Sequence, residues 1–434
     1  MSKVSVKLSD PSTCQVPNGP YAHVYVTVTD VKAHVSSTAP DNDQGWVDLA
    51  PGLAGAPKQI DLLGLANNQC FLATLGDAQE LQPGNYQQIR VILADNATTV
   101  TGNACSSSAN CVVLGDGSVH ELQLSSESKN GIKIPSGQIA GGGFNIGAGE
   151  TKDLDIDFNT CISIVQQGNG KYRLKPVLHA GEVSTTSSSI NGTVVDSATG
   201  KPITGEFTVA LEQKDAAGVD RVFMSTLTDA TGAFVFCPLP SGTYDVVIVG
   251  QSSAGVVYSP DVITGVSTGS TLATVQVHTL PVVSIGASTL QGQVTSQNGA
   301  TSPAATVADV QLSALETLSS SFTITVPLLP SVNQSGVILA LTTAPGSACA
   351  SGTDCASYGL MVPAGPAFVG AFSATGTTLT QSTLAVAYIV DAIAFVPSSG
   401  GQSDCSTGDL PSAAVTPLAG ATTQVATLAF TGCQ

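Results

Sequence analysis

The chain has 434 residues, 42% of them hydrophobic and only 10% charged. That length exceeds one ordinary core, and the apolar content excludes global disorder, so two or three packed domains are expected. A formal charge of −17, from 14 basic and 31 acidic residues, argues against nucleic acid and against an anionic membrane surface as partners.

Charged residues fall well below the usual quarter, and Gly, Ser, Thr, Val and Ala take their place. This composition suits short strands and tight turns and is poor in helix formers. Val4, Val6 and Leu8 alternate, which predicts an opening strand. Ala22, Val24, Val26 and Val28 then form an apolar face opposite His23, Tyr25, Thr27 and Thr29. A polar loop, Asp41-Asn42-Asp43-Gln44-Gly45, precedes Trp46, the single tryptophan. Gln59 to Leu65 reads as a strand or a short helical turn, and Pro83-Gly84 as a turn feeding a strand over Ile89 to Leu93. Asp116-Gly117 predicts a hairpin between Val112–Leu114 and Ser118–Leu124. In the stretch from Lys152 to Leu178, Leu154, Ile156 and Phe158 alternate with Asp153, Asp155 and Asp157. One strand face is therefore apolar and the other acidic. Asn169-Gly170 predicts that the chain folds back as a hairpin that closes the first domain near Val183.

Several of these segments carry a resemblance. Tyr25-Val26-Thr27-Val28-Thr29-Asp30-Val31, Asp61-Leu62-Leu63, Pro83-Gly84-x-Tyr86, Asp155-x-Asp157-Phe158 and Tyr172 to Leu178 resemble domain-of-unknown-function family 4382. The likeness covers about residues 3–183. It implies a bacterial, cell-envelope-associated protein, often with a lipoprotein leader, and implies a location more than an activity.

Residues 184–189 form a Ser/Thr linker by composition. Beyond it, Ile190-Asn191-Gly192-Thr193-Val194, Thr199-Gly200-Lys201-Pro202, Thr228 to Phe236 and Leu239-Pro240-Ser241-Gly242-Thr243-Tyr244 are similar in order to the carboxypeptidase regulatory-like family. Over about 189–280 this implies a transthyretin-like sandwich that acts as a non-catalytic appendage. Thr289-Leu290-Gln291-Gly292-Gln293-Val294 echoes the start of that module, and 285–434 reads as a further β-sandwich without a recognised family.

There are ten cysteines and no Cys-x-x-Cys pair. Cys105 with Cys111 and Cys349 with Cys355 suit local staples in Ser/Ala/Asn-rich loops, Cys405 with Cys433 brackets the last segment, and Cys14 with Cys70 would close the first. Cys161 and Cys237 sit in apolar strand patterns and read as buried thiols. An even count on loops points to an oxidising compartment. Because Met1-Ser2-Lys3 runs straight into a strand, a native leader is expected to be missing from this chain. No apolar run is long enough for a transmembrane helix.

No catalytic residue is assigned. Asp41, Asp43, Asp155 and Asp157 are the candidate calcium ligands, set against the plainer reading of a polar turn and a strand whose outer carboxylates are solvated. Trp46 and Tyr25 are the candidate ligand-binding aromatics. Gly265-Val266-Ser267-Thr268-Gly269 matches a hydrolase nucleophile-elbow pattern, which requires a following helix that the composition does not support. The reading is an all-β protein of three consecutive β-sandwich-like domains, 1–183, 190–284 and 285–434, with disulfide-stapled loops. Its expected role is non-catalytic, at the bacterial surface or secreted, in contact with copies of itself, other surface proteins or polysaccharide, with self-assembly into a multimer or filament as one form. A carbohydrate-binding surface lipoprotein and a metal-assisted hydrolase using the aspartates are the alternatives. No cofactor other than calcium is implied.

Overall fold

The computed structural model describes residues 2–9, 21–40, 42–65, 73–124, 128, 130–139, 142–158, 160–166, 171–174, 178–183, 188–203, 205–215, 217–229, 231–239, 242–252, 254–278, 286–298, 309–329, 338–340, 349, 352–395 and 404–433. It is an all-β protein with layered sheets, and it divides into two compact units, one built on Met1–Ser187 and the other on Ser188–Pro397 with Ser403–Gln434.

In the first unit the strands that matter are β1 (Ser2–Ser9), β2 (Tyr21–His34), β3 (Gln88–Leu93), β4 (Thr151–Phe158) and β5 (Leu178–Val183). One sheet runs β5–β4–β1, with Ala73–Thr74 and Gln79–Leu81 on the far edge of β1. The other is nine-stranded and centred on β2, which lies between β3 and Cys111–Leu114. The predicted alternations set the inner faces. Val4, Val6 and Leu8 of β1, Leu154, Ile156 and Phe158 of β4, Val24, Val26 and Val28 of β2, and Ile89, Val91 and Leu93 of β3 share one core.

Local turn chemistry behaves as the residues dictate. Gly117 takes φ +82°, Asp116 Oδ1 accepts the Ser118 amide at 2.9 Å, and Val119 pairs with Val113 across the hairpin. Lys58–Asp61 is a strand and Leu62–Leu65 a helical turn, so both readings of that stretch hold in succession.

Asn169-Gly170 lies outside the described residues, and the strands on either side of it pair otherwise than expected. Ile164–Gln166 pairs with Tyr172–Leu174 in the nine-stranded sheet, whereas β4 takes β5 as its antiparallel neighbour and β1 as its parallel one. The helical turn Thr160–Ser163 separates β4 from the hairpin, so the chain leaves the first sheet before it folds back.

In the second unit, β6 (Ser188–Asp196), β7 (Gly205–Lys214), β8 (Val219–Leu227), β9 (Thr243–Ser252) and β10 (Asp261–Ser267) fall in the carboxypeptidase regulatory-like segment. They are followed by β11 (Ala287–Ser296), β12 (Asp309–Ser319), β13 (Phe322–Val326), β14 (Asp354–Pro363), β15 (Phe368–Ala371), β16 (Tyr388–Phe395) and β17 (Asp404–Pro411). Each half has a small sheet of its own. One is β6 flanked by Ala233–Leu239 and Thr271–Val277, the other β11 flanked by β14, Thr422–Gln424 and Leu428–Phe430.

The two halves also share an 11-stranded sheet, whose main order is β15–β10–β9–β7–β8–β13–β12–β16–β17. The expected boundary at 284/285 thus lies inside one compact unit. Strands from beyond it close both edges of the four-stranded β10–β9–β7–β8 block in parallel pairings, Val219↔Thr323 on one side and Asp261↔Phe368 on the other. Val247, Val249 and Val262 from before the boundary lie in the same core as Leu290, Leu360 and Val390 from after it.

A buried ion cluster crosses this seam. Arg221 Nη1 lies 2.7 Å from Asp391 Oδ2, and its Nε lies 3.0 Å from Asp215 Oδ2. Removing one member of a buried pair strands its partners' charge, so Arg221→Ala should cost about 3–5 kcal/mol in urea unfolding. A chain ending at residue 284 would expose both edges of the block. It should elute on size-exclusion chromatography as associated species, where the full chain elutes as a defined one.

Candidate functional site: the acidic face of the first sheet

The residues of β1 and β4 that point away from the core meet along their parallel pairing, in which Ser5 pairs with Asp153, Lys7 with Asp155 and Ser9 with Asp157. All three aspartates are buried, at 6%, 2% and 1% exposure. This corrects the plainer expectation, which left the outer two solvated. In a single strand the acidic face looks like a wet face; burial follows from the flanking strands, which the spacing alone does not reveal.

Each carboxylate has a specific environment. Asp153 accepts a hydrogen bond from Ser5 Oγ on Oδ1, and Lys7 Nζ lies 2.7 Å from its Oδ2. Asp155 accepts from Ser9 Oγ at 2.6 Å on Oδ2. Burial raises its pKa to about 7 against the opposing effects of Ser9, the Ile156 amide and Lys7. On the other side of β4, His179 stands opposite Asp157, and burial lowers its pKa to about 4.

Among the described residues, the candidate calcium ligands Asp43, Asp155 and Asp157 do not converge on one point. Asp41 lies outside the described residues. Asp43 is committed to its own turn, where Oδ1 accepts the Gly45 amide at 2.7 Å and lies 3.2 Å from His34 Nε2. Those contacts hold its pKa below the usual carboxylate value. Among the described residues no group of three or more His, Cys, Asp or Glu side chains converges as a metal site.

Trp46 and Tyr25 do not form one platform. Tyr25 and His34 are nine residues apart on β2, about 30 Å at strand rise. Trp46 packs at the His34 end, its ring 5.1 Å from the imidazole and 4.7 Å from the Arg90 guanidinium, while its Nε1 donates to Pro40 O at 2.8 Å. Tyr25 stacks on His23, which in turn lies 2.7 Å from Asp61.

Ser267 ends β10 and leads through Thr268-Gly269 into the strand Thr271–Val277, so the Gly-x-Ser-x-Gly pattern sits on a strand–turn–strand and not on a nucleophile elbow. Disulfides join Cys105 to Cys111, Cys349 to Cys355 and Cys405 to Cys433. Cys14, Cys70 and the side chains of Cys161 and Cys237 lie outside the described residues.

Sequence reasoning overlooked a second acidic set, in the shared sheet. Glu212 is fully buried and accepts the Thr325 amide at 3.2 Å. Burial, together with the Asp220 and Asp245 carboxylates, raises its pKa well above the ordinary value. Burial likewise raises Asp220 to about 7, Asp261 to about 6 and Glu316 to about 8. The available signal was Leu211-Glu212 and Leu315-Glu316, where one carboxylate interrupts an apolar strand.

These features define an all-β protein with disulfide-stapled loops and polar rows buried between strands. Residues 1–176 match the family described as Domain of unknown function (DUF4382), the family that the motifs from Tyr25 to Leu178 resemble. No curated protein matches the chain significantly.

Among solved structures, similarity reaches a leucine-rich repeat protein from Bacteroides thetaiotaomicron, with 12% identity, 57% of this chain, 27% of that one and a TM-score of 0.23. It also reaches a DUF3823 family protein from Bacteroides uniformis, with 12% identity, 52% and 98% coverage and a TM-score of 0.17. A third is the shaft pilin SpaA of Lactobacillus rhamnosus GG, with 10% identity, 65% and 98% coverage and a TM-score of 0.18. Overlaps this slight do not define a shared fold.

The raised carboxyls fix the sign of the pH dependence. A folded chain that holds protons its unfolded form has released loses stability as pH rises through that interval. For Glu316 the interval runs from about 4.5 to about 8. His179 acts oppositely between about 4 and 6.5, where rising pH favours its buried neutral ring. Glu316→Gln should make the decline in unfolding free energy from pH 5 to pH 8 shallower, by up to about 1.4 kcal/mol per pH unit, in urea titrations at stepped pH.

Proposed function

We propose that this protein is a non-catalytic structural or adhesive component of a bacterial cell surface, exported and able to associate with further copies of itself. The observation that carries the reading is the construction of the second unit. Its two segments are joined by main-chain pairing at both edges of one block and by the buried Arg221–Asp391–Asp215 cluster. A seam of that kind resists relative motion of its segments, which suits a load-bearing element better than a hinged enzyme.

The three disulfides among the described residues, beside loops, fit an oxidising compartment. The likeness of the first segment to envelope-associated proteins, and of residues 189–280 to a non-catalytic appendage, points the same way. Other surface proteins or polysaccharide remain the partners that such a display would meet. A sugar platform on Trp46 and Tyr25 is disfavoured, because the tryptophan ring already packs against Arg90 and His34.

The reading is checked by treating intact host cells with a membrane-impermeant biotinylating reagent and imaging the purified chain by negative stain. Labelling of intact cells together with regular multimers is the expected result. Labelling that appears only after lysis would overturn the surface role.

A further inference from the structure

The contact between Lys7 and Asp153 has a form that chemistry can use. The amine lies 2.7 Å from Asp153 Oδ2, the two side chains are 18% and 7% exposed, and the residues are 146 positions apart on neighbouring parallel strands. Ser5 Oγ donates to the other carboxylate oxygen, where it would stabilise a developing oxyanion. Asp155 stands opposite Lys7 in the register. Its Oδ2 is held by Ser9, and its Oδ1 is buried without a hydrogen-bond partner. An amine, a carboxyl held in contact with it and a second carboxyl opposite the lysine in the strand register are the components of amide formation.

We propose that Lys7 and Asp153 become joined by an isopeptide bond from Nζ to Cγ, with Asp155 carrying the proton and one water released. The ammonium of Lys7 gives a proton to Asp153 Oδ2, which lies 2.7 Å away, leaving a neutral amine beside a neutral acid. The Nζ lone pair then bonds to Cγ, and the carbonyl π pair moves onto the oxygen that faces Ser5. When that pair returns, the bond from Cγ to the other oxygen breaks. The leaving oxygen takes the bonding pair and, with a proton drawn from Nζ through Asp155, departs as water.

In sum, one ammonium and one carboxylate give one secondary amide and one water. Charge is zero on both sides and nothing is oxidised or reduced. Two features drive the step. The reacting groups are already held in contact, and a partly buried ion pair becomes a neutral amide. Asp155 suits the shuttle because burial places its pKa at about 7. The product would tie the first strand of the unit to β4, shortening the unfolded chain's free loop as a disulfide does. The inference rests on this geometry alone and is independent of the surface role.

The test is the intact mass of the full chain, denatured and reduced so that disulfides do not contribute. The expected mass is one water below that of the sequence, with tandem mass spectrometry finding a branched peptide that links residues 2–9 to residues 151–158. Lys7→Arg should restore the full mass and lower the thermal midpoint. Asp155→Asn should also carry the full mass, with an unchanged circular-dichroism spectrum showing that it has folded. Asp153→Asn should react with loss of ammonia and reach the same product mass as the native chain. A natively folded wild-type chain at full mass after prolonged incubation overturns the bond, as does a water loss that persists in Lys7→Arg. Bond formation at an undiminished rate in Asp155→Asn overturns the assignment of the proton carrier.

Discussion

Backbone pairing at sheet edges is the constraint on which the rest of this structure depends. Every sheet ends in two rows of unpaired amides and carbonyls, and a protein that is nearly all strand must close or cover them. Here the solution is parallel pairing between strands far apart in sequence. β1 lies beside β4, and β8 and β10 accept β13 and β15 from beyond the expected domain boundary. Each of these pairings closes a long loop, at an entropic cost that grows only slowly with loop length. The compensating gain is a core in which Val247 and Val262 pack with residues more than a hundred positions later, such as Val390.

Edge closure explains why so many charged groups are buried in a chain with so few of them. A strand laid over an existing edge covers the polar residues that alternation had placed on the outer side. Asp153, Asp155 and Asp157 are enclosed in this way beside β1, and Glu212 and Asp220 beside β13. Buried carboxyls have two ways to avoid a large desolvation cost, and both are used. Asp153 and Asp391 take a cation at 2.7 Å, whereas Asp155, Asp220 and Glu316 keep their protons to higher pH. The acidity of the chain is therefore only partly a property of its surface.

The same geometry decides which partners the buried polar groups have. The polar rows are assembled from strand neighbours and not from loops, and their hydroxyls and amines are aimed at one another. Ser5, Lys7 and Ser9 each address an aspartate on β4. Such an arrangement commits these buried polar groups to partners within the chain. Trp46 shows a related economy, since its ring is taken up in ordering Arg90 and His34 near the loop that Asp43 caps.

Local alternation and turn chemistry by themselves determined the fold class, most strand positions, the Asp116-Gly117 hairpin and the inward set Leu154, Ile156 and Phe158. These depend on dihedral preferences and on a period of two, which neighbouring residues express without help from the rest of the chain. Cysteine spacing likewise marked the pairs Cys105–Cys111, Cys349–Cys355 and Cys405–Cys433. Tertiary structure alone decided which strands became neighbours. Nothing local distinguishes β5 from Tyr172–Leu174 as the partner of β4, or reveals that residues 285–434 would share a sheet with the module before them. Parallel pairing links segments through main-chain groups that are identical at every residue, so its specificity resides in the completed core. For that reason the acidic face of β4 was visible in the sequence, while its burial, its serines and Lys7 were not.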